Sequence, residues 1–324
     1  MKAVLCRQFC SPDELEFADL AEPVARAGEA VVRIKAAALN FFDTLIIAGK
    51  YQHKPPFPFS PAAEFSGVVE SVGAGVTDIA PGDRVMGNIG WGAAREAVAV
   101  PANILVKIPA ALDLDRAAGL TVTYGTTLYA LRIRAGLKPG ETLAVLGASG
   151  GTGLATVEIG SVIGARVIAC ASSDEKLEFA RKHGAAETVN YSREDLRAAL
   201  KRLGGAHGID VIYDPVGGPY AEPAVRSMAW DGRYLVIGFA AGEIPKLPLN
   251  LVLLKNCDIR GVAWGAWVQR APDQQRELMK DIVEWAALGR LSAHVHAAYP
   301  LADIAAALKA IADRKVMGKI VLHP

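Results

Sequence analysis

The spacing of apolar and polar residues changes partway along this 324-residue chain. Up to about residue 110, segments of alternating polarity, such as 30–37 and 65–72, are separated by turns that contain Gly and Pro. This pattern predicts a mostly β, barrel-like unit. Residues 115–135 then have the periodicity of a helix. From residue 142 onward, apolar strand segments alternate with amphipathic helical segments, which predicts a doubly wound, mostly parallel sheet and an α/β fold class.

Six strands are predicted for the parallel sheet, at 142–147, 166–170, 186–189, 209–213, 233–238 and 257–263. Helical patterns lie between them, for example at 174–183 and 193–203. The tail predicts a helix, a strand, a second helix and a last strand, at 273–288, 294–299, 301–313 and up to Leu322. Because the sheet already has its six strands, we expect the tail to rejoin the first unit. The predicted domains are 1–122 with 266–324, and 123–265.

A glycine-rich turn follows the first of these six strands. Ala148, Gly150 and Gly153 have the spacing of a dinucleotide-binding fingerprint. Small residues at these positions allow a tight turn, a close approach of the backbone to a diphosphate, and packing of the next helix on the strand. The N-terminus of that helix would bind the diphosphate. The predicted cofactor-binding residues of this turn are Ala148, Ser149, Gly150, Gly151, Thr152 and Gly153.

The residues after the second strand favour NADP(H) over NAD(H). An acidic residue at this strand end normally binds the free ribose 2′-hydroxyl of NAD. Here Ser172 and Ser173 follow the strand, and we interpret Asp174 as a cap of the next helix. The two serines can donate hydrogen bonds to a 2′-phosphate, and Lys176 adds a positive charge, although a solvated helix lysine is an alternative interpretation.

The composition argues against several classes of protein. Lys and Arg number 35 against 34 Asp and Glu, so no basic excess favours nucleic acid or an anionic membrane. The 52% apolar fraction suits an enzyme with a large core. Four scattered cysteines are typical of free thiols in a reducing compartment. Neither a signal peptide nor a transmembrane segment is predicted, so we expect a soluble, cytoplasmic protein.

Motifs spread over the whole chain resemble those of the zinc-independent quinone oxidoreductase branch of the medium-chain dehydrogenase/reductases. They are residues 38–43, 48–51, 64–69, 72–73, 81–85, 147–153, 213–218 and 318–321. The resemblance implies a GroES-like β-barrel substrate domain, a Rossmann domain, a cleft between them and a homodimer. It also implies binding roles for further residues. Those matching the surroundings of the 2′-phosphate are Lys176, Tyr191 and Arg314, and those matching the nicotinamide end are Thr127, Gly217, Gly238 and Phe239.

Zinc-dependent members of the superfamily need three Cys or His ligands for a catalytic ion and four cysteines for a structural one. At the corresponding positions this chain has Asn40 and the histidine-free segment Pro61-Ala62-Ala63. Residues 85–109 contain no cysteine. We therefore predict that no metal is bound, and that hydride goes to an acceptor that needs no Lewis acid.

A quinone or an enone can accept hydride directly from NADPH, so the protein mainly orients the reactants. Tyr51 is the candidate proton donor or substrate anchor, and Asn40 either donates to a developing oxyanion or holds its loop in place. We expect an NADPH-dependent quinone reductase acting on a small molecule. The alternatives are an enoyl-thioester or enone reductase, in which Tyr51 would be the general acid, and a non-catalytic NADPH-binding structural or RNA-binding protein.

Overall fold

The computed structural model describes all residues from Met1 to Pro324. Its strands are β1 (Lys2–Leu5), β2 (Glu16–Asp19), β3 (Glu29–Leu39), β4 (Glu64–Val72), β5 (Arg84–Asn88), β6 (Ala97–Pro101), β7 (Val106–Lys107), β8 (Thr142–Leu146), β9 (Arg166–Ala171), β10 (Glu187–Asn190), β11 (Ile209–Asp214), β12 (Met228–Val236), β13 (Asp258–Gly261), β14 (Val295–Pro300) and β15 (Lys319–His323).

The α-helices are α1 (Phe41–Ile47), α2 (Leu114–Ala118), α3 (Leu120–Leu128), α4 (Gly151–Ile163), α5 (Asp174–Lys182), α6 (Leu196–Gly204), α7 (Ala221–Val225), α8 (Leu249–Lys255), α9 (Trp264–Arg270), α10 (Pro272–Ala287) and α11 (Ile304–Ala312). A π-helix over Tyr129–Ala135 continues α3, and short 3-10 turns lie at Pro12–Glu14, Ala102–Ile104, Gly218–Tyr220 and Leu301–Asp303. No helix is both long and apolar enough to cross a membrane.

The chain divides into two compact units. The first contains Met1–Val122, Met279–Gly289 and Ala293–Pro324, and the second contains Thr123–Leu278 and Arg290–Ser292. The return to the first unit therefore comes later than the predicted residue 266.

Contacts of α9 explain the later return. The Trp264 indole N–H donates to the Gln275 side-chain oxygen at 3.0 Å. The Trp267 ring stacks on Tyr129, with ring centroids 4.3 Å apart. Both contacts are made within the second unit, so they hold α9 and the start of α10 there.

The first unit is built on a seven-stranded sheet. Its strand order is β14-β15-β3-β4-β5-β7, and β6 pairs with β3. The last strand, β15, pairs antiparallel with β3, and β14 pairs with β15. The prediction that the tail rejoins the first unit is therefore confirmed. The core of this unit is formed by apolar side chains from several strands, among them Val32, Ile34, Leu39, Phe65 and Ile320.

The second unit is built on a six-stranded parallel sheet with the order β10-β9-β8-β11-β12-β13. All six predicted strands are present in it, which confirms the doubly wound fold class. The chain moves outward from β8 through β9 to β10, and then returns to the other side of β8 with β11. Ligands of such sheets bind at this switch point, beyond the carboxyl ends of the strands.

The prediction of one continuous helix over residues 115–135 is wrong. Residues 115–135 form α2, α3 and the π-helix rather than a single helix, and Gly119 separates the first two. A Cβ atom at Gly119 would lie 3.0 Å from the Lys319 side chain. The break therefore occurs where the aliphatic part of a lysine passes close to the backbone, a contact that periodicity does not reveal.

That lysine forms a buried ion pair in the first unit. The Lys319 ammonium lies 2.8 Å from Glu64 Oε1, with side-chain exposures of 4% and 0%. Lys319 also donates to the Leu39 carbonyl and to Asn40 Oδ1. The second oxygen of Glu64 accepts the Val122 backbone N–H at 2.7 Å. The pair therefore has hydrogen-bond partners on both sides, which buried charges require.

We predict that Lys319→Met lowers the free energy of unfolding by about 3–5 kcal/mol, because it leaves the buried Glu64 carboxylate without a counter-ion. Urea unfolding measures this loss. The matched control is Lys309→Met, which removes a half-exposed lysine paired with Asp13. This control should change stability by less than about 1 kcal/mol. Equal losses in the two variants would contradict the interpretation.

Candidate functional site

The glycine-rich turn connects β8 to α4 at the switch point of the second unit. Gly147 has a φ of +61°, a left-handed conformation that suits glycine. Gly150 is the N-cap of α4, and no side chain caps this helix. The first N–H groups of a helix have no partner inside the helix, so those of α4 are available to an anionic ligand.

The lack of a side chain has different consequences at Gly150 and at Gly153. A Cβ at Gly153 would lie 2.1 Å from the Gly147 carbonyl oxygen, so any side chain there would push α4 away from the turn. A Cβ at Gly150 would meet nothing closer than 3.6 Å. The structure therefore needs glycine at 153 for packing, whereas it leaves space at 150 beside the open helix N-terminus.

The end of β9 carries the serines that were predicted to favour a 2′-phosphate. Ser172 is exposed, and Ser173 is the N-cap of α5, with its hydroxyl accepting the Lys176 N–H at 3.4 Å. The predicted cap at Asp174 is wrong, because Ser173 occupies that position. Asp174 lies in the first turn of α5, where its charge suits the helix dipole as expected.

The Asp174 carboxylate is already engaged by the loop after β10. It accepts a hydrogen bond from the Asn190 side chain at 2.6 Å and forms an ion pair with Arg193. Sequence reasoning missed both partners. They approach Asp174 because Asn190 is in register with Ala171 in the paired strands β10 and β9. Tyr191 follows directly, and its ring lies 4.4 Å from that of Tyr220.

Thr127 is fully buried in the second unit. Its hydroxyl lies 3.1 Å from the Tyr213 hydroxyl and 3.4 Å from that of Thr156. The predicted nicotinamide-side threonine thus belongs to a buried cluster of hydroxyl groups. Its Oγ1 can donate only one hydrogen bond, so any contact with a ligand would compete with these neighbours.

Gly217, Gly238 and Phe239 lie in the turns after β11 and β12, which are neighbours in the sheet. Gly217 has a φ of +66°, and its N–H donates to Asp214 at 2.8 Å. A Cβ at Gly217 would lie 2.9 Å from the Phe239 ring. The Phe239 side chain is exposed. The structure therefore brings these three predicted residues together at the carboxyl edge of the sheet.

Asn40 and Asp43 shape the start of α1 in the first unit. The Asn40 backbone N–H donates to Asp43 at 2.7 Å, and its side-chain amide donates to Glu64 at 3.0 Å. The Asn40 side-chain oxygen accepts from Lys319 at 2.6 Å. Burial raises the pKa of Asp43 to about 7. These contacts fit the loop-holding role considered for Asn40, and its role toward a substrate oxyanion stays a prediction.

Tyr51 lies in the loop that follows α1. Its ring is half-buried and stacks on Phe42, with centroids 5.5 Å apart and an interplanar angle of 25°. No group of the chain makes a hydrogen bond with its hydroxyl. Burial and the nearby Asp43 charge raise the pKa of Tyr51, so the phenol keeps its proton at neutral pH. This hydroxyl is therefore a neutral donor that is available to a ligand.

Arg314 is the last of the predicted site residues. Arg314 follows α11 in the first unit, is exposed, and has a φ of +58°. No group of three or more His, Cys, Asp or Glu side chains lies close enough to hold a metal ion. The residues Ala62 and Ala63, ahead of Glu64, offer no ligand atoms in their side chains. The donor set of this chain does not fit zinc.

We predict that Gly153→Ala lowers the free energy of unfolding by about 1–3 kcal/mol, because the new methyl group overlaps the Gly147 carbonyl oxygen. The matched control is Gly150→Ala, which has room for its methyl group and should change stability by less than about 1 kcal/mol. Urea unfolding of both variants measures the difference. A Gly153→Ala protein as stable as the Gly150→Ala protein would contradict the packing role.

Comparisons with known proteins agree with this architecture. Residues 26–110 match the family model for the alcohol dehydrogenase GroES-like domain, and residues 151–284 match that for zinc-binding dehydrogenases. The quinone oxidoreductase-like protein 2 homolog of Nematostella vectensis is 37% identical to this chain, over 99% of this chain and 88% of the relative.

Two solved structures are similar over the full length. A probable oxidoreductase from Mycobacterium abscessus has a TM-score of 0.91 and 35% identity, covering 100% of this chain and 99% of its own. Escherichia coli quinone oxidoreductase complexed with NADPH has a TM-score of 0.93 and 26% identity, covering 100% of both chains. The chain therefore belongs to the quinone oxidoreductase branch of the medium-chain dehydrogenase/reductase superfamily, a family of oxidoreductases.

Proposed function

We propose that this protein is an NADPH-dependent oxidoreductase that transfers hydride to a quinone without the help of a metal ion. The observation that carries the proposal is the uncapped N-terminus of α4, reached through a turn with space at Gly150. The quinone oxidoreductases among the similar proteins, one of them complexed with NADPH, support both the cofactor and the acceptor.

The second unit fits the phosphates of NADPH. The backbone of residues 148–153 would hold the diphosphate, with the N–H groups of Gly151 and Thr152 at the positive end of the α4 dipole. The 2′-phosphate would lie beside Ser172, Ser173 and Lys176. The Asp174 carboxylate beside this position is already engaged by Asn190 and Arg193. By resemblance, Tyr191 and Arg314 are further 2′-phosphate ligands.

The nicotinamide end would be placed by residues at the carboxyl edge of the same sheet. By resemblance these are Thr127, Gly217, Gly238 and Phe239. Bound NADPH supplies the hydride. The protein would supply the orientation of the nicotinamide ring.

Tyr51 and Asn40 are the proposed substrate-side groups. The Tyr51 hydroxyl would donate a hydrogen bond to a carbonyl oxygen of the acceptor, and the raised pKa keeps the proton on this oxygen. Asn40 would contribute mainly by holding its loop in place, since its side-chain amide is bound by Glu64 and Lys319. A quinone carbonyl is electrophilic enough to accept hydride with only such a hydrogen-bond donor beside it. The proposed reaction therefore needs no zinc ion.

An enoyl-thioester or enone reductase is the second candidate, and the unpartnered Tyr51 hydroxyl favours it. Addition of hydride to such a substrate leaves a carbanion that needs a proton beside the carbonyl. A neutral, half-buried phenol is suited to deliver that proton. A quinone differs, because the hydroquinone product can take its protons from water.

We also propose that the protein works as a homodimer, as the family resemblance implies. The strand β13 is one of the two edge strands of the six-stranded sheet. Exposed apolar side chains lie on and near this edge, namely Leu249, Leu253, Leu254 and Ile259. An edge strand beside an exposed apolar surface is suited to contact with a second copy of the same chain.

We predict that Lys176→Ala weakens NADPH binding about 10- to 100-fold and leaves NADH binding unchanged. The reason is that the 2′-phosphate, which NADH lacks, is the only part of the coenzyme that the lysine is expected to contact. Titration of the purified variant with each coenzyme, followed by fluorescence, measures both affinities. The matched control is Lys182→Ala at the other end of α5. It should bind both coenzymes like the unaltered protein, and an equal loss for both coenzymes in Lys176→Ala would refute the assignment.

We predict that Tyr51→Phe keeps turnover of a 1,4-quinone within about threefold, because the hydroquinone is protonated by water. With a 2-enoyl thioester, the same change should lower kcat about 10²- to 10⁴-fold, the usual contribution of a general acid. NADPH oxidation with the two acceptors side by side measures this. Tyr299→Phe, on β14, is the control. Preference of the unaltered protein for the thioester would replace the quinone proposal with the second candidate.

A further inference from the structure

Two cysteines lie close together at the end of β1. The sulfur atoms of Cys6 and Cys10 are 3.8 Å apart, and both are free thiols. Cys6 is buried and Cys10 is half-buried, whereas the three residues between them are exposed. The other two cysteines, Cys170 and Cys257, are buried in the second unit without a thiol partner. Cys6 and Cys10 are therefore the only two cysteines of the chain whose thiols are neighbours.

Backbone hydrogen bonds join both cysteines to the segment that carries Tyr51. Cys6 exchanges two backbone hydrogen bonds with Phe59, at 2.7 and 3.1 Å. The Cys10 N–H donates to the Ile47 carbonyl at 2.9 Å. Residues 6–10 and residues 47–59 thus contact each other at both ends. A disulfide has sulfur atoms about 2.05 Å apart, so the two thiols need to approach by less than about 2 Å.

The side chain between the cysteines touches the same loop. The Phe9 ring packs edge-on against Phe57, with centroids 4.9 Å apart. A Cβ at Gly49 would lie 2.8 Å from this ring, so the ring lies directly over the loop backbone two residues before Tyr51. Phe9 and the Cys10–Ile47 hydrogen bond therefore connect the Cys6–Cys10 segment to the loop.

We propose that Cys6 and Cys10 form a reversible intrachain disulfide that changes the position of the Tyr51 loop. The oxidant is a low-molecular-weight disulfide such as glutathione disulfide. The more exposed Cys10 thiolate attacks one sulfur of glutathione disulfide, and its S–S bond breaks to release one glutathione thiolate. Cys6 then attacks Cys10 Sγ in the mixed disulfide and releases the second. Two electrons pass to glutathione, and the two thiol protons end on the two glutathione molecules.

The effect on activity rests on the proposed function of Tyr51, whereas the disulfide itself does not. Closing the five-residue ring draws Cys10 toward Cys6 and away from Ile47. The Phe9 ring then shifts over Gly49, and the Tyr51 hydroxyl moves relative to its acceptor. A hydrogen-bond donor that moves away from the acceptor carbonyl binds it less tightly.

The first experiment measures the disulfide. The protein is incubated overnight at pH 8.5 with a series of glutathione redox buffers, because burial raises the pKa of both thiols and slows their exchange at neutral pH. Trypsin cleaves after Lys2, Arg7 and Arg26, so a Cys6–Cys10 bond links peptides 3–7 and 8–26. We expect this linked species, together with a fall from four free thiols to two.

Two variants serve as controls. Cys10→Ser should keep its three thiols, while Cys257→Ser should fall from three thiols to one. An unchanged thiol count in the unaltered protein under the most oxidising buffer would overturn the proposal. Accumulation of glutathione on Cys10 without the linked peptides would overturn it as well.

The second experiment measures NADPH oxidation with a 1,4-quinone before and after oxidation of the protein, and again after reduction with dithiothreitol. We expect the disulfide to raise the KM for the quinone at least about threefold, reversibly, and only in proteins that retain Cys10, because the displaced Tyr51 hydroxyl no longer anchors the quinone carbonyl. The kcat should stay within about threefold, as expected for Tyr51→Phe. A disulfide that forms without any change would overturn its action on the loop. If reduced protein turns over no quinone, the proposed function fails, and the peptide result still decides whether the disulfide exists.

Discussion

The first unit depends on one buried ion pair, between Glu64 and Lys319. Removing two charges from water is costly, and the cost is offset only when every polar atom of the pair finds a partner. Glu64 is on β4 and Lys319 begins β15, so the pair joins the middle of the sheet to the end of the chain. The same carboxylate also accepts the backbone N–H of Val122, the last residue of this unit before the chain enters the second.

The pair also holds Asn40, one of the two proposed substrate-side residues. Asn40 is held by both partners, and its position as N-cap sets the start of α1. The loop after α1 then carries Tyr51, whose hydroxyl has no partner in the chain. The buried network thus binds the amide of Asn40, whereas the phenol of Tyr51, the proposed donor to the substrate, lies outside it. The contacts of Phe9 with this loop add a second influence, from the cysteine pair.

The second unit depends in a similar way on a steric constraint. Gly153 lies so close to the Gly147 carbonyl that α4 can pack on the turn only without a side chain there. This packing brings the open N-terminus of α4 to the switch point of the sheet. At the end of β9, the Asp174 carboxylate is engaged by Asn190 and Arg193, close in sequence to Ser172, Ser173 and Lys176. Together these features account for a site that suits a 2′-phosphorylated dinucleotide.

The sequence by itself determined the α/β class, the six strands of the parallel sheet, the return of the tail to the first unit and the glycine-rich turn. These follow from local periodicity and from residue types whose backbone preferences act over a few positions. Only the tertiary structure decided the break at Gly119, the cap at Ser173 and the later return at Met279. It also decided that Asp174 is engaged, that the amide of Asn40 is held by charges, and that Cys6 faces Cys10. Each of these depends on groups that are distant in the chain or on the exact path of a loop, and local patterns carry no information about such contacts.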